Sequence, residues 1–169
     1  QFTLSQNYPN PFNATTTTFN LGDDASRKQY RAILHFNTAS LPDTAVITSV
    51  TLKIKKATGS KGNTSTLGAL LADMKKPSFG TAVLAKTDFE AAAGKSSIFD
   101  LFKIASGWYS ATMKSTGFTY VNRTGTTQFR LRFTKGDDGD SLADYLVFYS
   151  GNVAAVASRP QLIINYYVP

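Results

Sequence analysis

The chain has 169 residues and a net charge of +7, from 18 Lys and Arg against 11 Asp and Glu. It contains no cysteine, which excludes a disulfide scaffold, a thiol nucleophile and a Cys-based metal site. Apolar residues make up 42% of it but never form the run of about 18 that a membrane helix requires. The length fits one domain, 1–169, with a self-sufficient core. The numbering starts at Gln1 with neither Met nor signal peptide, as expected of a mature, processed chain and equally of a trimmed one.

In chain order, "QFTLSQNYPN" alternates Phe2 and Leu4 with Thr3 and Ser5, and residues 1–20 read as an extended N-terminal segment. Pro9 and Pro11 keep "YPNPF" extended, and Thr15 to Phe19 suit a strand. In "YRAILHF", Tyr30, Ala32, Leu34 and Phe36 point one way, and Arg31, Ile33 and His35 the other. In "VITSVTLKIKK", Val46, Thr48, Val50, Leu52 and Ile54 are expected on one face, and Thr51, Lys53 and Lys55 on the other. "LGALLADM", "DYLVFYS" and "QLIINYYV" read as more deeply buried strands. "KTDFEAAAGK" predicts one helical turn, capped by Thr87 or Asp88, running through Ala93 and ended by Gly94. "FKIASGWYSAT" is compatible with strand or irregular structure. In "TQFRLRFT", Phe129, Leu131 and Phe133 alternate with Gln128, Arg130 and Arg132, which are expected on a wet face. Turn-rich stretches such as "LGDDAS", "ATGSKGNTST" and "KGDDGDS" separate these runs. The whole predicts an all-β antiparallel sandwich or jelly roll with at most one or two short helical turns.

"YRAILHFNTASLPDTAVITSVTLKIKK", "TQFRLRF", the acidic "KGDDGDSLADYLVFYSG" and the closing "RPQLIINYYVP" follow one another in the order seen in DNRLRE-type domains. From about Tyr30 to Pro169 the chain resembles that family, which is also grouped as carbohydrate-binding module family ninety-six. The resemblance implies a β-sandwich on an extracellular or cell-surface microbial protein. "FTLSQNYPNPFNATTTTFNL" is similar to the start of a type IX secretion sorting domain. No such tail follows, so the stretch reads as the first part of the sandwich.

The catalytic inventory is thin: one His, His35, one Glu, Glu90, and no Cys. No nucleophile elbow, phosphate-binding glycine loop or zinc-binding HExxH is present, and an enzyme is not expected. Asp137, Asp138, Asp140 and Asp144 cluster on a Gly-rich turn, which suits calcium, with a solvated turn as the commoner reading of such a stretch. Asp23 and Asp24 form a weaker pair. Trp108 and Tyr109 would stack on sugar rings if exposed; in a sandwich such residues usually fill the core, where Trp108 is expected. Arg31, Lys53, Lys55, Arg130 and Arg132 fall on outward positions and would form a basic stripe. No nucleic-acid motif accompanies them, and nucleic acid is not expected as a partner.

Two functions follow. In the first, the chain is a structural subunit of an extracellular filament and its partner is itself. The opening strand would add to the next subunit's sheet, with Phe2, Leu4, Tyr8 and Tyr167 at the interface. In the second, it is a polysaccharide-binding module of a secreted or surface microbial protein.

Overall fold

A computed structural model describes residues 2–6, 16–80 and 85–169, the first of these segments by its backbone alone. In chain order the strands are β1 (Phe2–Gln6), β2 (Thr18–Asp23), β3 (Gln29–Tyr30), β4 (Ala32–Asn37), β5 (Val46–Lys55) and β6 (Leu70–Lys75). A short helix α1 (Lys86–Glu90) precedes β7 (Lys103–Ala105), β8 (Trp108–Thr112), β9 (Thr126–Phe133), β10 (Tyr145–Tyr149) and β11 (Gln161–Tyr167). Short 3-10 turns at Thr64–Leu67, Ser115–Tyr120 and Val156–Ser158 complete the regular structure of the described residues. Among the described residues no helix is long and apolar enough to cross a membrane.

The strands form three antiparallel sheets, ordered β1-β11-β5-β8-β7, β10-β2-β3 and β4-β9-β6. Period-2 alternation explains why they pack as a sandwich. Val50, Leu52, Ile54, Ala111, Leu162 and Ile164 of the five-stranded sheet share one core with Leu34, Phe36, Phe129, Leu131 and Phe133 of β4 and β9. Leu21 and Phe148 of the β10-β2-β3 sheet belong to the same core. Edge-to-face rings lock its centre, Phe99 and Phe36 standing 5.4 and 5.9 Å from Phe129.

Three expectations are corrected. The face of β5 changes phase at Thr48: Ile47 is buried while Val46 and Thr48 are exposed. The cause is a β-bulge, since Asn165 lies opposite Ser49 but the next residue, Tyr166, lies opposite Ile47. Strand β11 is not buried on both faces but alternates, with Leu162 and Ile164 inward. The helical turn begins and ends earlier than "KTDFEAAAGK" suggested. Its N-cap is Ala85, and Asp88 reaches back as an N3 acceptor for the Ala85 N–H at 2.9 Å.

The fourth correction concerns the outer face of β4-β9-β6, which the segment after β6 covers. Gln128 and Arg130 are therefore buried, not wet. Phe79 packs over the Arg130 guanidinium at 4.6 Å, and its backbone N–H donates to Gln128 Oε1. Arg130 Nη1 donates to the carbonyls of Asp88, Phe89 and Ala91, which satisfies the open C-terminal end of α1.

Candidate functional site

The acidic loop between β9 and β10 folds against the end of β2. Antiparallel pairing sets Tyr145 opposite Gly22, and the Asp23 N–H donates to the Asp144 carbonyl at 3.0 Å. Asx contacts shape the loop, with Asp138 Oδ1 accepting from the Asp140 N–H and Asp140 Oδ1 from the Leu142 N–H. One carboxylate oxygen each from Asp138, Asp140 and Asp144 lie within 4.8 Å of one another. Asp144 is 4% exposed and Asp23 only 2%. Asp144 Oδ1 accepts from the Asn63 N–H, whereas Asp144 Oδ2 and Asp23 Oδ1 are buried without a hydrogen-bond partner among the described residues. Burial pushes the Asp23 carboxyl up, and the charges of Asp138 and Asp144 push the same way. A hydrogen bond with the Thr66 side chain holds the Asp138 carboxyl below its ordinary value.

Of the four aspartates singled out in the loop, the structure gathers three. Asp137 instead pairs with Arg27 at 2.8 Å. Asp23, read from sequence as half of a weaker pair, is the fourth acid beside the group. Asp24 is a turn former, its Oδ1 accepting from the N–H groups of Ser26 and Lys28.

Trp108 and Tyr109 do not form one platform. Adjacent strand residues point to opposite faces, and the β7–β8 hairpin sets which is which. Tyr109 turns inward, edge-on to Phe148 at 5.0 Å, and burial pushes its hydroxyl pKa up. Trp108 is half-buried on the outer face, contrary to the core position expected for it. Lys53 Nζ lies 4.8 Å and Lys55 Nζ 5.9 Å from its ring centroid. Lys103 and Lys53 flank Ser110 on the neighbouring strands.

The expected basic stripe does not form, because its members belong to different sheets. Lys53 and Lys55 sit on the five-stranded sheet, while Arg130 and Arg132 converge on buried Asp73 in β6. Arg31 packs on the Phe89 ring at 4.2 Å and pairs with Glu90. His35 is half-buried beside Thr126 and Gln128, and desolvation pulls its pKa below the ordinary value. Asp73 carries no local signal, because its role depends on a β6–β9 register known only from the fold.

The N-terminal strand lies on its own chain's sheet, where β11 is its strand partner. The ladder runs from Phe2 opposite Tyr166, through Leu4 opposite Ile164, to Gln6 opposite Leu162. Tyr8 lies outside the described residues. Tyr167 is beyond that ladder, 46% exposed and opposite Val46 of β5. Beside β7, at the sheet's other edge, an open groove of about 460 Å³ is lined by Leu101, Phe102, Ile104, Tyr109 and Leu146 among others. Leu101 and Ile104 are mostly exposed.

No protein-family model matches the chain, and no curated protein does either. The resemblance to DNRLRE-type modules therefore rests on the motifs quoted above.

Proposed function

We propose that this protein is a non-enzymatic structural subunit of an extracellular filament, polymerised by exchange of its N-terminal strand. The observation that carries the reading is the position of β1, which among the described residues lies at the edge of the five-stranded sheet and pairs with β11 over five consecutive residues, Phe2–Gln6. The backbone bonds of such a ladder are the same whether the strand comes from its own chain or from a second copy. The sequence after β1 holds Pro9 and Pro11, and the fixed φ of proline favours extended backbone. Exchange in one direction is a heterologous contact that does not close, so it propagates. The exposed Leu101 and Ile104 beside β7 supply a second, unlike apolar surface for a neighbour.

Electron microscopy of the full chain beside a version lacking residues 1–10 tests this. Fibres from the full chain and none from a truncated chain that still unfolds cooperatively are expected. A synthetic peptide of residues 1–10, added in excess, should shorten the fibres by capping free β11 edges. Monodisperse particles from the full chain would overturn the proposal.

A second reading, an extracellular module for acidic polysaccharide, is favoured by Trp108 on the outer face. The ring offers a stacking surface, and Lys53 and Lys55 beside it offer charge for a uronate or sulfate group.

A further inference from the structure

We propose that Asp138, Asp140 and Asp144, with the Asp23 carboxylate beside them, hold one calcium ion, which ties the end of β2, the acidic loop and the start of β10 to the 61–66 segment. The argument begins with the two orphaned oxygens. Asp144 and Asp23 are both more than nine-tenths buried, and each has a carboxylate oxygen with no hydrogen-bond partner among the described residues. Buried carboxylates in that condition are strongly unfavourable unless a cation or proton neutralises them. Arg27, the guanidinium beside the loop, hydrogen-bonds to Asp137 instead.

The donor set selects the ion. These carboxylates offer oxygen alone, which suits hard cations and not zinc or copper. One oxygen each from Asp138, Asp140 and Asp144, within 4.8 Å of one another, fit a single calcium shell, whose diameter is about twice a Ca–O bond of roughly 2.3–2.6 Å. Magnesium demands a tighter, near-ideal octahedron. The wall of the site is also shaped to hold Asp144 close. Gly62 has φ +62°, and a Cβ there would stand 2.1 Å from Asp144 Oδ1. Only glycine lets that backbone approach the carboxylate.

Calorimetric titration of the chelator-stripped chain with calcium chloride tests the site. One equivalent should bind, in or below the range of about 0.1–1 mM typical of extracellular modules. The unfolding temperature should rise with the logarithm of calcium and respond less to magnesium. Asp140→Asn, at an exposed ligand that leaves the core intact, should weaken binding at least tenfold. Asp137→Asn, outside the site, should leave it within about twofold. No saturable binding by about 10 mM calcium would overturn the proposal, since the buried acids would then be neutralised by protons. Equal weakening by Asp137→Asn and Asp140→Asn would also overturn it, as that marks diffuse attraction to an acidic surface.

Discussion

At the scale of single residues, the strongest structural commitment is Asp73. It is 1% exposed, and burial alone would raise its pKa. Hydrogen bonds from Arg132, the Ser97 N–H and Arg130 outweigh that, and the carboxyl is held below its ordinary value. Arg130 is itself buried and its Nε has no partner among the described residues, so its charge depends on Asp73 and the carbonyls of α1. Asp73→Ala should therefore cost about 3–5 kcal/mol, read as a fall in urea midpoint with an unchanged slope. The pH dependence has a definite sign. The unfolded chain takes up the Asp73 proton first as pH falls past about 3.9. The stability Asp73 supplies is thus complete above that value and is lost as pH falls through the folded-state pKa. The gap between the native chain and Asp73→Ala should narrow over the same interval. Nothing in the sequence marks this residue, because "LGALLADM" reads as an apolar strand and only the β6–β9 register brings Asp73 to two arginines.

At the scale of elements, what was legible is what one strand's own periodicity determines. Leu34 and Phe36, and Val50 to Ile54, alternate as their burial does, and Phe129, Leu131 and Phe133 face the core as their spacing predicts. What was hidden depends on neighbours. The bulge at Thr48 and the cover over Gln128 and Arg130 are set by β11 and by the segment after β6, which leave no local mark on those strands. The acidic loop was legible for three of its aspartates; Asp23 was not, since it arrives from β2 through long-range pairing. "FKIASGWYSAT" lies between these cases. It is a two-residue hairpin whose turn has Ser106 at φ 49° and Gly107 at φ 78°, and Ala105 pairs with Trp108. Positive φ at both central residues defines a type I′ turn, and Ser-Gly is a modest version of its Asn-Gly signal. A Cβ on Gly107 would meet nothing within 4 Å, so the cost of Gly107→Ala is purely conformational. About 1–2 kcal/mol should be lost in urea unfolding. Ser106→Asn should move the midpoint the other way by a few tenths of a kcal/mol. A neutral Gly107→Ala would mean a different turn, and with it a different face for Trp108.

At the scale of the whole molecule, net charge separates the two functional readings. Each chain carries +7, so head-to-tail assembly brings like-charged bodies into contact. The strand exchange proposed for that contact draws its affinity from backbone hydrogen bonds and apolar burial, neither of which salt weakens. The repulsion, by contrast, reaches about 30 Å at 0.01 M salt and only about 8 Å at 0.15 M. Fibre growth should accordingly be several times faster at the higher salt. An acidic polysaccharide responds in the opposite sense, because the attraction of Lys53, Lys55 and Lys103 for its charges is screened. Binding of polygalacturonate should then weaken about tenfold over the same range, and Trp108→Ala should reduce it at both salts by removing the stacking surface. Light scattering for growth and a polysaccharide pull-down, run on one preparation across one salt series, set the two against each other. Growth that accelerates with salt while Trp108→Ala changes nothing favours the filament. Growth that slows with salt would mean that complementary charge, not the β1 ladder, drives the contact, and residues 1–10 would lose their assigned part in it.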